Sequence, residues 1–171
     1  MTEHMHSDTG SALPAGAFQG RESFRDALRQ AFKAAATEGW RELLLCDASF
    51  IDWPLGEREV AEALQTWALG PGQRLIMLAR QYDDVVRQHA RFVEWRRQWA
   101  HKIDCRVCAW ADAQDVPSAL WSPAWSLQRM DSLRHGGVCG PEADRRVVLR
   151  QLIDGWVGRS STGFAATTLG L

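Results

Sequence analysis

Three short apolar runs, starting about thirty residues apart and separated by segments of helical periodicity, constrain what this chain can fold into more than any other feature. Leu43, Leu44, Leu45 and Cys46 make the first run, which ends at Asp47. Leu75, Ile76, Met77 and Leu78 form the core of the second, within Arg74 to Arg80. Asp104 to Trp110 alternates in the way of a strand. Uninterrupted apolar runs of this length suit strands buried on both faces. Between and before them lie three helices. One starts at Arg21 and carries Phe24, Ala27, Leu28, Ala31, Phe32 and Ala35 at spacings of three and four before Gly39 stops it. Another starts at Gly56 or Glu57, carries Val60, Ala61, Leu64, Trp67 and Ala68 on one face, and ends at Gly70-Pro71-Gly72. The third spans Tyr82 to Ala100, with Val85, Val86, His89, Phe92, Val93 and Trp99 inward and Trp95 outward. A repeat of about thirty residues is the length of a βαβ unit.

Past Asp115 the pattern changes. Leu120 to Met130 reads as one or two further strands, and Asp131 to Gly140 as a turn region around Gly136-Gly137. Pro141 to Val157 reads as a last helix with Val147, Val148, Leu152, Ile153 and Trp156 inward. The fold class expected is α/β: a small three-layer domain whose mainly parallel sheet comes from repeated βαβ units, with C-terminal antiparallel strands and a final helix. Residues 1–18, small and polar without periodicity, read as a disordered leader, and 19–171 as a single α/β domain with an apolar tail packed on it. At 171 residues one core removes roughly 70% of the unfolded chain's surface from water, so stability needs neither disulfides nor a metal.

The formal net charge of −1 argues against a general polyanion binder but leaves room for a local basic patch. Eighteen of the twenty basic residues are Arg, and nine Trp stand against one Tyr. No stretch approaches ~20 apolar residues, so no membrane contact is expected. Met-Thr-Glu-His-Met-His-Ser-Asp at the start lacks a basic region followed by an apolar run, which makes the expected location cytoplasmic. Cys46, Cys105, Cys108 and Cys139 are expected to be free thiols.

In open parallel sheets ligands bind beyond the carboxyl ends of the strands. That rule places Asp47, Asp52 and Trp53, then Arg80 and Asp83, then Trp110 to Asp115, on one edge. The loop from Asp47 to Gly56 has neither G-x-G-x-x-G nor G-x-x-x-x-G-K-[ST], and the chain has no G-x-S-x-G, so nucleotide sites of the usual kind and a hydrolase elbow are excluded. Cys105-Arg-Val-Cys108, with His135 and Cys139 downstream, has a formal zinc spacing. Residues three apart on a strand face opposite ways, however, so neither a metal nor any other cofactor is expected.

Acid–base chemistry, if present, would draw on His89, Asp131 and His135, the last two beside Arg129 and Arg134 at a strand end. Each has a plain structural reading as well: a satisfied core histidine and a polar turn. The candidate ligand-binding residues are Asp47, Asp52, Trp53, Arg80, Arg97, Arg106 and Arg129. From Arg80 to Trp110 seven Lys or Arg stand against four Asp or Glu, with Trp95, Trp99 and Trp110 interleaved. That combination suits phosphate contact and base stacking, though Arg stems lying across Trp rings would give the same pattern.

Trp40-Arg-Glu-Leu-Leu-Leu-Cys-Asp47, Asp52-Trp-Pro-Leu-Gly56, Leu75-Ile-Met-Leu-Ala-Arg80 and the segment His89 to Arg106 together resemble a phospholipase D-like half-domain of an uncharacterised proteobacterial branch. The likeness is best from Gly20 to Val107. The superfamily's H-x-K-x-x-x-x-D motif, in which His attacks phosphorus and Lys holds the phosphate, is missing: His101 and Lys102 are adjacent, and His89-Ala-Arg91 lacks the Lys and the Asp. The resemblance therefore implies the scaffold, its crevice and a homodimer, without the phosphodiesterase centre. The first expectation is a catalytically inactive module that binds a phosphate-containing ligand or a protein partner. A hydrolase with a non-standard His/Asp set and a nucleic-acid binder using the Arg/Trp face of the third helix are the alternatives.

Overall fold

The computed structural model describes residues 12–165. In chain order the elements are β1 (Gly16–Phe18), α1 (Arg21–Glu38), β2 (Glu42–Cys46), α2 (Arg58–Ala68), β3 (Arg74–Ala79), α3 (Asp83–Gln88), α4 (Ala90–Gln98), β4 (Ile103–Val107), β5 (Ser118–Trp121), β6 (Ser126–Asp131), β7 (Gly136–Gly140), α5 (Ala143–Gly158) and β8 (Ser161–Thr162). The eight strands form one sheet in the order β1-β7-β6-β5-β2-β3-β4-β8.

The α/β class holds, but the mainly parallel sheet does not. Only β2–β3 and β3–β4 pair in parallel, and the other five pairings are antiparallel. The thirty-residue rhythm belongs to β2, β3 and β4 alone. After β4 the chain crosses to the far side of β2 and builds outward through β5, β6 and β7 as a meander. Short turns connect antiparallel neighbours, so no crossover helix is needed there.

Alternation along the central strands divides the core into two layers. Leu43, Leu45, Leu75 and Met77 face α1, α2 and α4, together with Phe24, Phe32, Leu64 and Phe92. Leu44, Cys46 and Leu78 face the other way, toward Leu149, Ile153 and Trp156 of α5. Three layers result, with one helix on the second face. α1 buries the six apolar residues its periodicity marks and ends at Gly39, whose φ of 66° is the left-handed cap that glycine adopts without strain.

Four expectations need correction. Gly16–Phe18 of the expected leader forms β1, an edge strand paired with β7, and Phe18 stacks on Phe24 at 6.1 Å; residues 1–11 lie outside the described residues. Residues 136–140, read as part of a turn around a Gly-Gly pair, form β7. The expected third helix breaks at His89, whose φ of −121° and ψ of 55° separate α3 from α4. This break resets the helical phase for α4, so Trp95 turns inward and is 4% exposed, while within α3 Val85 is buried and Val86 faces outward. On α5 the inward stripe is Leu149, Ile153 and Trp156, one step round from the expected one, leaving Val147, Val148 and Leu152 exposed. Of the apolar tail, Phe164 stacks on Tyr82 at 4.8 Å, and residues 166–171 lie outside the described residues.

Candidate functional site

β2 ends at Cys46, and Asp47 turns the chain away from the sheet. Its Oδ2 accepts the backbone N–H groups of Ser49 (3.1 Å) and Phe50 (2.8 Å), an Asx turn that supports Phe50 at a left-handed φ of 60°. The other oxygen is left facing the antiparallel half of the sheet. There β5 and β6 lie beside β2, and Arg129 of β6 reaches across β5 to donate through Nη2 to Asp47 Oδ1 at 3.0 Å.

Arg129 is the hub of the site. Nη1 donates to Asp52 Oδ2 at 3.0 Å and to His135 Nδ1 at 2.9 Å, and Nε donates to Ser118 Oγ of β5 at 3.1 Å. Its guanidinium also lies 4.5 Å from the ring centroid of Phe24 on α1. Arg21 approaches the outer oxygen of Asp52 at 3.7 Å. Because Arg is a donor only, His135 Nδ1 accepts, and the proton of the neutral ring sits on Nε2. His135 itself has a φ of 54°, at the turn between β6 and β7.

Beside this cluster opens a cleft of about 610 Å³. Its polar lining includes Asp47, Asp52, Asp115, Ser118 and Arg129, and its apolar wall includes Met130, Leu152 and Trp156. Three carboxylates line the cleft beside one guanidinium, which already has an acceptor on every nitrogen. The cleft is therefore net negative, and its buried cation is engaged within the protein.

Four of the ten sequence candidates meet here: Asp47, Asp52, Arg129 and His135. The other six are held elsewhere. His89 is buried at the α3–α4 break, with Nε2 2.8 Å from the Phe50 carbonyl, and burial lowers its pKa while that carbonyl works the other way. Asp131 is exposed and caps its own turn, accepting from the N–H groups of Leu133 (3.0 Å) and Arg134 (3.1 Å). Trp53 is wholly buried between Phe50 (4.8 Å) and Phe24 (6.0 Å), a core residue and no part of the crevice. Arg80 donates to the Ala111 carbonyl at 2.7 Å, and Arg97 pairs with Glu94 at 3.3 Å on the surface. Arg106 fastens the last segment to β4 through the hydroxyl and carbonyl of Ser160.

Ser118, Phe24 and Arg21 complete the cluster and were not candidates. Phe24 carried a signal, but as part of the α1 core stripe. Ser118 had none, because only the β5–β6 register, Ser118 opposite Arg129, brings it into place.

The thiols supply no nucleophile. Cys105 and Cys108 pack into opposite cores, all four cysteines are free, and burial pushes each thiol up, Cys105 to about 11. Among the described residues no three His, Cys, Asp or Glu side chains gather as a metal site requires, and no helix is long and apolar enough to cross a membrane.

No protein-family model and no curated protein matches the chain. Among solved structures it is similar to TrmBL2, an archaeal chromatin protein whose structure is described as showing a novel mode of DNA binding, with a TM-score of 0.64 over 92% of this chain. Identity is 12%, so the likeness concerns the fold, and this chain spans 57% of that one.

Proposed function

We propose that the chain is a phospholipase D-like domain without the superfamily's phosphodiesterase centre, and that it works as a binding or accessory module through the cleft beside Arg129. The observation that carries this reading is the engagement of the Arg129 guanidinium at every nitrogen, four of its five N–H groups donating to Asp47, Asp52, Ser118 and His135. A phosphodiesterase of that superfamily needs a histidine nucleophile and a cation left open for phosphate. Here the cation is closed off and the histidine's Nδ1 is tied to it.

The same engagement narrows the ligand. A phosphate-containing ligand entering the cleft would meet the carboxylates of Asp52 and Asp115, while the guanidinium in the lining is already bound within the protein and Arg21, outside the lining, sits against Asp52. The lining favours a cation, or a molecule rich in hydrogen-bond donors, with Met130, Leu152 and Trp156 taking its apolar part. A cationic side chain of a protein partner has this chemistry too.

Hydrolysis of a generic phosphodiester such as bis(4-nitrophenyl) phosphate tests the non-catalytic half of the reading. No turnover above the uncatalysed rate is expected. Robust turnover that disappears in His135→Ala would contradict it.

Nucleic-acid binding is a second reading, favoured by the DNA-binding structural neighbour and by exposed Arg87, Arg91 and Arg97 along α3 and α4. The inward turn of Trp95 removes one of the expected stacking rings, which leaves phosphate contact as the main source of affinity. Its mark would be an affinity that falls steeply with salt and weakens in Arg87→Glu/Arg91→Glu. Salt-independent binding would rule it out.

A further inference from the structure

One face of the sheet is covered by a single helix, and that helix is apolar on both sides. α5 packs Leu149, Ile153 and Trp156 inward, yet Val147, Val148 and Leu152 are 57%, 65% and 40% exposed on its outer side. Farther along the same helix are Gly155 and Gly158, and a Cβ built on either meets nothing within 4 Å. The C-terminal end of the surface is widened by Trp110, 59% exposed, which lies parallel to Trp156 at 5.6 Å under the Arg159 guanidinium.

The charges on this face are arranged for self-recognition. Asp144 stands in the first turn of α5 and Arg159 just past the last, and neither has an ion pair among the described residues, Arg159 donating through Nε to the Gly155 carbonyl at 3.3 Å and leaving its terminal nitrogens without a carboxylate. A two-fold axis between Gln151 and Leu152 places Asp144 of one copy against Arg159 of the other, twice. The same axis brings Val148 opposite Gly155, so that a projecting side chain meets a backbone with no side chain in the way. An isologous interface requires this reciprocity, in which residue i meets j and j meets i.

We propose that α5 pairs antiparallel with α5 of a second copy of this chain, Val148 seated on Gly155 and Asp144 paired with Arg159. The proposal is independent of the cleft's ligand, although Leu152 and Trp156 also wall the cleft, so the seam of the dimer runs along its rim. A helix of 16 residues is ~24 Å long at the usual rise. That is small against the roughly 800 Å² per partner of a standard interface, so the dimer should dissociate on dilution.

Sedimentation equilibrium of the full chain, from micromolar to submillimolar concentration, tests it. A reversible monomer–dimer equilibrium is expected. Gly155→Gln extends a side chain into open space in the monomer and improves helix propensity, so it leaves the fold intact, and it should weaken the dimer at least tenfold. Asp144→Arg and Arg159→Asp should each weaken it, and the two together should restore it. A chain that stays monomeric throughout, a dimer unmoved by Gly155→Gln, or a double charge reversal that fails to recover association would each overturn the proposal.

Discussion

The Arg129 guanidinium and the Asp47 carboxylate meet at 3.0 Å with side chains only 6% and 5% exposed, joining β6 to the end of β2 across the strand between them. An ion pair this deep holds the antiparallel half of the sheet to the parallel half. Removing one partner leaves the other as an uncompensated buried charge.

Arg129→Met should therefore destabilise the fold by about 3–5 kcal/mol, the usual result of breaking a buried pair from one side. Asp47→Asn in the same chain should recover part of that loss, because it removes the orphaned charge and keeps an amide oxygen for the N–H groups of Ser49 and Phe50. Urea unfolding of the two single variants and the double variant gives the cycle. An additive double variant would mean that the pair does not couple the strands.

Gly137 sits directly opposite Arg129 in the β6–β7 register. A Cβ there would strike the Gln128 carbonyl oxygen and come within 2.8 Å of both Arg129 Cα and Phe18 Cζ, whereas at Gly136 the nearest atom is the Phe18 carbonyl oxygen at 3.7 Å. Gly137→Ala should cost about 1–3 kcal/mol, as overpacking does, and displace the His135 ring resonances. Gly136→Ala should leave those resonances in place. Equal effects of the two substitutions would show that the close approach at Gly137 does not position Arg129.

Why some of this was legible before the structure and some was not follows from where the signals come from. α1, β2, α2 and β3 are fixed by local periodicity and by caps such as Gly39, and the sequence marks them within a residue or two. β7 escapes because a glycine required by neighbouring strands looks like a glycine required by a turn. The α3–α4 break escapes because it depends on His89 reaching Phe50, a residue far away in sequence. The site shows the same division: Asp47, Asp52, Arg129 and His135 are visible as separate polar residues, and only the β2–β5–β6 adjacency makes them one cluster.

Stability should decline over two separate pH ranges in acid. Burial holds the His89 pKa below its usual 6.5 in the folded chain, so its contribution is complete above that value and is lost as pH falls through 6.5 toward the lowered one. Glu57, hydrogen-bonded by Arg29 and then Arg25, is held at about 2 instead of the usual 4.5, despite partial desolvation that opposes the shift. Its contribution is complete above about pH 4.5 and is lost as pH falls toward 2. Midpoints of urea unfolding against pH should show both declines. His89→Gln, which keeps a donor for the Phe50 carbonyl, should flatten the first, and Glu57→Gln the second. A first decline that survives His89→Gln would assign it to another group.

The cleft's preference for a cation over phosphate is the claim most exposed to a single measurement. Proton–nitrogen correlation spectra of the labelled chain, titrated in parallel with spermidine and with inorganic phosphate, read each lining amide separately. Saturable shifts are expected at Asp52, Asp115 and Ser132 with spermidine, weakened by Asp115→Asn, and no shifts there with phosphate. Saturable shifts of those amides with phosphate, or none with spermidine, would contradict that claim.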